Sequence, residues 1–278
     1  MSSTRDRLVT GIPAAIAVIL LLAYGGVAGF AGLLLLVVLL ATREAAKMIE
    51  GDARAWPLLF ILAAAYFPGI INREVEWLIV AVMASTLGSG VWAIVRAGSS
   101  EDTVNDVARR WGLLCVASIW LGALPAMGVA LRAFEFGASW ILITLVAAFL
   151  GDTGAYFAGR AFGKHKLGPL SPKKTWEGVV GGFPVGILGV LIVHFLYFDT
   201  MAWWHALVIA PLINCAGIFG DLAASALKRA AGVKDSGVFL PGHGGALDRI
   251  DSAVFALPVG YLIVRFLFNP EILWMLPL

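Results

Sequence analysis

The chain has 278 residues, of which 60% are apolar and only 14% charged, with a formal net charge of +2. An ordinary soluble domain carries about 25% charged residues, so a soluble core protein is excluded. Two cysteines cannot build a disulfide scaffold, and the small net charge says little until its distribution is considered.

Apolar runs near the length that a helix needs to cross a bilayer, about 20 residues, recur along the chain. They cover 8–24, 27–48, 55–71, 76–97, 111–131, 138–162, 176–197, 203–230 and 251–268. These runs predict an all-α, polytopic helical membrane protein with about nine transmembrane helices, in a range of roughly eight to ten. The first run follows Arg5 and Arg7 as a signal peptide would. A second apolar run follows almost at once, so an uncleaved hairpin is expected. With the N-terminus in the cytoplasm, only Arg73 and Arg132 of the 20 basic residues fall outside, and Arg265 lies within the last run. That asymmetry follows the positive-inside rule and places the C-terminus outside. Trp77, Trp140, Trp203 and Trp204 near outer ends, and Trp56, Trp111 and Trp176 near inner ends, read as interface anchors. Cys115 and Cys215 fall inside runs and read as small apolar core residues.

Two regions follow from the polarity pattern. Residues 1–135 hold about five spans with short charged connectors. Among these, "RAGSSEDTVNDVARR" reads as a solvated loop and a short helix. Residues 136–278 hold the remaining spans and the unusual chemistry. No internal repeat is visible, which argues against an inverted-repeat transporter.

The first polar cluster is "GDTGAYFAGRAFGKHKLGPLSPKKTWEGVVGG", from Gly151. Asp152 sits at the inner end of a span, where a carboxylate is costly and either functional or paired with a neighbour such as Arg160. Lys173 and Lys174 follow Ser171 and Pro172. That order suggests a helix capped by Ser171, with Pro172 at its first position. Such an N-terminus beside two lysines suits phosphate. The second cluster, "GDLAASALKR", spaces Asp221, Ser225 and Lys228 at i, i+4 and i+7. These share one helix face, with Asn214 extending it into the membrane. A stripe of carboxylate, hydroxyl and ammonium holds a metal and a phosphate together, or forms an intrahelical ion pair.

The third cluster, "KDSGVFLPGHGGALDRIDS", opens with Lys234 and Asp235. Its Gly242, Gly244 and Gly245 let backbone amides approach an anion, beside His243. Asp248 and Asp251 follow at i and i+3 with Arg249 between, on the first turn of the last span. They act as ligands or as acidic residues favoured at a helix start. Oxygen donors without a Cys/His cluster favour magnesium over zinc. Magnesium, cations and glycine amides together suit a polyphosphate such as a nucleoside triphosphate, and there is no Walker A sequence. From the residues alone, the chemistry is metal-assisted phosphoryl transfer on a membrane substrate.

The run "SALKRAAGVKDSGVFLPGHGGALDRID", Ser225 to Asp251, resembles the signature of the phosphatidate cytidylyltransferases, or CDP-diacylglycerol synthases. Matching elements are Ser225, Lys228-Arg229, Lys234-Asp235, Gly237, Leu240-Pro241, His243-Gly244-Gly245, Asp248-Arg249 and Asp251. "DTGAYFAGRAFGKHKL" and "SPKKTWEG" resemble family segments in the expected order. Two positions depart: Ala224 stands where an acidic residue often precedes the serine, and Ala246 where a larger aliphatic is usual.

The resemblance implies transfer of CMP from CTP to phosphatidate, giving CDP-diacylglycerol and pyrophosphate for phospholipid synthesis. It implies catalytic roles for Asp221, Ser225, Lys228 and Asp248, and Mg2+ held by Asp221 and Asp248 with Asp251 nearby. A second cation beside magnesium is compatible with it. Substrate binding falls to Lys173, Lys174, Arg229, Lys234, Asp235, His243, Gly244, Gly245, Arg249 and Asp152. The implied partners are CTP, phosphatidate and membrane lipids, with a homodimer left open and no nucleic acid. The implied location is a bacterial cytoplasmic membrane with the active site facing the cytosol. The alternatives are a CTP-dependent enzyme acting on another lipid phosphate or lipid alcohol, and a transporter.

Overall fold

A computed structural model describes residues 16–98, 102–168, 170–198, 201–233, 236–237 and 245–268. Ten α-helices account for nearly all of them, and the β-structure among them is a single antiparallel bridge, Lys166 to Thr175. They are α1 (16–24), α2 (Gly26–Glu50), α3 (Trp56–Ala64), α4 (Tyr66–Asn72), α5 (Val75–Ala97), α6 (Val104–Arg132), α7 (Gly137–Phe162), α8 (Trp176–Tyr197), α9 (Ala206–Ala230) and α10 (Leu247–Ile263). A 3₁₀ turn (Trp203–His205) leads into α9, and a π turn (Val264–Phe268) extends α10. Seven helices among the described residues are long and apolar enough to cross a membrane: α2, α5, α6, α7, α8, α9 with its 3₁₀ turn, and α10 with its π turn. The protein is therefore an all-α, polytopic membrane protein.

These seven match predicted spans closely. The run expected over 55–71 is instead two short helices, α3 and α4, meeting at Ala65. Pro68 explains the break: it has no N–H to give the carbonyl of Ala64, four residues back. Of the first predicted span, only 16–24 lies among the described residues.

The predicted short helix near residue 104 is not separate. It is the start of the 29-residue α6. Thr103 Oγ1 accepts from the Asp106 amide at 3.3 Å, while Asp106 Oδ2 accepts from the Thr103 amide at 3.0 Å and its hydroxyl at 2.6 Å. This reciprocal capping box starts the helix well before the apolar run.

The chain forms two compact units. The first is Met1–Ala130 with Ala230–Arg249; the second is Leu131–Arg229 with Ile250–Leu278. Apolar area burial does little to hold helices together in lipid, so close packing and polar links take its place. In the first unit Tyr66 donates to Ser85 at 3.0 Å, and the indole N–H groups of Trp56 and Trp111 reach the carbonyls of Leu39 (3.1 Å) and Thr86 (2.8 Å). Those two indoles thus also serve as helix-to-helix links.

The same unit contains a buried charge cluster. The Glu50 carboxylate, 1% exposed, lies 3.0 Å from Arg110 and 3.6 Å from Arg96. Arg96 also pairs with Asp52 at 2.9 Å, and Arg110 with Asp102 at 2.5 Å.

In the second unit α7 and α8 pack along their length. A Cβ on Gly182 would lie 2.7 Å from the Gly151 carbonyl, so glycine is what permits this approach. Asn214 of α9 is buried beside them, donating to the Gly182 carbonyl at 3.4 Å. Trp140, expected at the interface, is instead buried and packs edge-on against Phe198 at 4.8 Å. Both cysteines are free; Cys215 is exposed on α9 and so is not a core residue.

Candidate functional site

The second unit holds a cavity of about 650 Å³, within the usual range of small-molecule sites. Four elements build it. Helix α7 supplies Asp152, Ala155, Tyr156, Gly159 and Arg160; the segment before α8 supplies Ser171, Lys173, Lys174 and Thr175; α8 supplies Gly178 and Val179; α9 supplies Ile218 and Asp221. Four residues singled out in the sequence therefore meet at one cavity: Asp152, Lys173, Lys174 and Asp221.

The polar geometry is specific. Lys174 Nζ lies 2.5 Å from Asp221 Oδ2. Asp152 Oδ2 accepts from the Ser252 hydroxyl at 3.0 Å, which ties α7 to α10. The Arg160 guanidinium donates to the Tyr156 hydroxyl at 3.3 Å, one helical turn away. Arg160, Lys173 and Lys174 face Asp152 and Asp221, so the lining carries more positive than negative formal charge.

The lysines are positioned by a small hairpin, which replaces the helix start expected at Pro172. Residues 171–174 form a turn, with the Lys174 amide donating to the Ser171 carbonyl at 3.1 Å. The Leu167 amide donates to the Lys174 carbonyl at 2.9 Å, and the Trp176 amide to the His165 carbonyl at 2.9 Å. The helix begins only at Trp176, because Thr175 is extended (φ −132°, ψ 154°) and its hydroxyl caps the Gly178 amide at 3.2 Å. Glu177 closes the other side. Its carboxylate accepts from the Lys164 amide at 3.1 Å and the His165 amide at 3.2 Å, and lies 2.6 Å from His165 Nδ1. Sequence reading missed Glu177, and it also left Tyr156 unassigned.

The rest of the α9 stripe lies beyond the cavity lining. Ser225 is half-buried, Lys228 is buried and Arg229 is exposed, on the turns after Asp221. Ala224 is fully buried, so an acidic side chain there would carry a burial cost. Asp251 Oδ1 accepts from the Ser252 amide at 2.8 Å. Its carbonyl lies where a Cβ on Gly220 would come within 2.2 Å, so α9 and α10 touch there.

The described ends of the glycine-rich segment belong to the first unit. Asp248 Oδ2 accepts from the Ser236 amide (3.0 Å), the Ser236 hydroxyl (2.9 Å) and the Gly245 amide (3.1 Å). A carboxylate reaching back to an amide three residues earlier resembles half of a capping box. Arg249 is exposed on the same turn. Lys234, Asp235, His243 and Gly244 lie outside the described residues. Sequence reading also missed Glu44 of α2, whose carboxylate accepts from the Ser236 hydroxyl (2.9 Å), the Ala246 amide (2.8 Å) and the Leu247 amide (3.0 Å).

Residues 5–267 match the profile of the Cytidylyltransferase family. The chain belongs to that family. Among its relatives, a protein of Staphylococcus saprophyticus named phosphatidate cytidylyltransferase is 47% identical over 124 residues, covering 44% of this chain and 48% of its own. Proteins of the same name from Thermotoga maritima and Bacillus subtilis are 43% identical over 143 residues and 37% identical over 155 residues. The first alignment covers 48% of this chain and 52% of the relative, and the second 55% and 58%. The chain thus spans about half the length of the curated relatives it matches.

Proposed function

We propose that the protein is a phosphatidate cytidylyltransferase, transferring CMP from CTP to phosphatidate and releasing pyrophosphate. Family membership supports the reaction class. The observation that carries the reading is the cavity, where Arg160, Lys173 and Lys174 meet Asp152 and Asp221 at the end of apolar helices.

The reaction requires little proton chemistry. A phosphate oxygen of phosphatidate, already anionic, attacks the α-phosphorus of CTP. The bond from that phosphorus to the oxygen bridging it to the β-phosphate breaks, and pyrophosphate leaves with the electron pair. Alignment and charge neutralisation therefore supply most of the rate. Lys173, Lys174 and Arg160 would neutralise phosphate oxygens, with the hairpin anchored by Glu177 holding the two lysines in place.

Mg2+ belongs to this reading. The cavity offers carboxylate oxygens, and the Lys174 ammonium already stands as a cation 2.5 Å from Asp221. Among the described residues no group of three His, Cys, Asp or Glu side chains is placed to hold a metal ion. Mg2+ takes one or two protein carboxylates and completes its shell with water and phosphate oxygens. When bound it would supply charge neutralisation on the phosphates. Asp221 and Asp248 are its proposed ligands from the resemblance, with Asp251 a nearby candidate.

The test is incorporation of labelled CTP by the purified full chain, with phosphatidate, another lipid phosphate or a lipid alcohol as acceptor. CDP-diacylglycerol and equimolar pyrophosphate are expected with phosphatidate; a clear preference for another acceptor would overturn the substrate assignment. We place the cavity on the cytosolic side of a bacterial cytoplasmic membrane, from the charge asymmetry. A reporter fused after Leu278 should then report an extracytoplasmic position, and one inserted near Lys166 a cytoplasmic one. Both on one side would refute this topology.

A further inference from the structure

The three acceptor contacts of Glu44 converge on both described ends of the glycine-rich signature segment. Glu44 lies in α2, about 200 residues earlier in the chain. Its Oε1 accepts from the Ala246 amide, and its Oε2 from the Leu247 amide and the Ser236 hydroxyl. The two amides are among the N–H groups that a helix leaves without an internal acceptor, here at the start of α10. The Ser236 hydroxyl lies 2.9 Å from both Glu44 Oε2 and Asp248 Oδ2. It has one proton to donate, so the same hydroxyl serves the two carboxylates in turn.

The glycines on either side report the same closeness independently. A Cβ on Gly237 would lie 2.9 Å from Glu44 Oε1, and one on Gly245 would lie 2.4 Å from Glu44 Oε2. Signature positions Gly237 and Gly245 are therefore small because the Glu44 carboxylate occupies the space where a side chain would go. Gly245 is doubly constrained, because its added Cβ would also meet the Ser236 hydroxyl at 2.1 Å.

We infer that Glu44 is a positioning residue for the cytidylyl transfer: it holds Ser236 against Gly245–Leu247 and, through Ser236, sets the orientation of the Asp248 carboxylate. The inference rests on the proposed reaction for its functional consequence, and on geometry alone for the contact. A partner that orients a ligating carboxylate affects metal affinity or activity by about 10- to 100-fold when removed.

The experiment uses the full chain with Glu44→Gln, Glu44→Ala and Ser236→Ala, each reconstituted in lipid. Glu44→Gln keeps the size but turns an NH2 group toward an amide N–H, so acceptor is replaced by donor. Three readouts are taken: amide hydrogen exchange in a peptide covering Gly245–Arg249, kcat/KM for CTP with its Mg2+ midpoint, and melting temperature. The expected result is faster exchange at Ala246 and Leu247 and a fall in kcat/KM of about 10- to 100-fold, with a higher Mg2+ midpoint. The melting temperature should change little in Glu44→Gln. Glu44→Gln combined with Ser236→Ala should be little worse than Glu44→Gln alone, since both act through one contact.

Two results would overturn the inference. One is unchanged exchange in Glu44→Gln and Glu44→Ala. The other is a lower yield and melting temperature with unchanged kcat/KM and Mg2+ midpoint per folded molecule, which would make Glu44 a folding staple only. An inactive wild type with every acceptor would instead refute the proposed reaction, while the exchange experiment would still decide whether the contact forms.

Discussion

Two charge clusters, one in each unit, have similar ingredients and opposite arrangements. Around Glu50, three arginines (Arg54, Arg96 and Arg110) and three carboxylates (Glu50, Asp52 and Asp102) form a connected set of ion pairs at 2.5–3.6 Å, with the central carboxylate 1% exposed. Around the cavity, three cations and two carboxylates line a volume of about 650 Å³, with Lys174 and Asp221 paired across its wall. In the first cluster the charges neutralise each other around a carboxylate that is almost fully buried. In the second, excess positive charge faces space. Proximity of opposite charges therefore does not mark a functional site. What distinguishes the cavity is residual charge together with volume.

The comparison predicts that equal disturbances will appear in different observables. The largest effect is expected at Asp221. Asp221→Asn keeps the size and removes the charge, so turnover should fall at least about 100-fold, about 3 kcal/mol of transition-state stabilisation. Insertion and melting temperature should stay close to wild type, because the residue is half-buried beside the cavity. Full activity in a folded Asp221→Asn protein at limiting magnesium would remove Asp221 from the proposed mechanism.

At Glu50 a similar energy should be lost from stability. Glu50→Gln strips the central charge from a buried set and leaves Arg96 and Arg110 under-compensated, at a cost of about 3 kcal/mol. Denaturation of the reconstituted protein should show that loss while kcat/KM per folded molecule stays unchanged. A specific loss of catalysis with normal stability would show that the first cluster is not merely a clamp.

The smallest effect is expected for the lysines. Lys173→Ala with Lys174→Ala removes solvent-screened ionic contacts worth up to about 1 kcal/mol each, Lys173 being exposed and Lys174 half-buried. An increase of about tenfold in the apparent KM for CTP or phosphatidate is expected, measured by initial rates with each substrate varied. Unchanged kinetics for both substrates would return these residues to the role of topology signals.

Span positions were legible in the sequence because a bilayer imposes one length and one polarity on every crossing helix. Asp152, Lys173, Lys174 and Asp221 were legible for a related reason, since each stands out against an apolar background. The hairpin that carries the lysines was not. Ser171-Pro172 has the residues of a helix start, and only the bridge from Lys166 to Thr175 and the contacts of Glu177 show that the chain turns instead. The break at Ala65 could have been found from Pro68 alone. Glu44 could not: it lies between Arg43 and Lys47 at the end of an apolar run and looks like any charge leaving a membrane. Its meaning depends on amides about 200 residues away, and no local pattern encodes that distance.

That separation has a consequence for the time order of synthesis. At about 5–20 residues per second, the sequence separation of 202 from Glu44 to Ala246 takes roughly ten to forty seconds to translate. Throughout that interval the Glu44 carboxylate must wait for partners not yet made. The contact can close only once the first turn of α10 has left the ribosome. A chain interrupted before Ala246 would therefore have its cavity-forming helices α7 to α9 without the latch, making this contact a marker of chains extended past the start of α10.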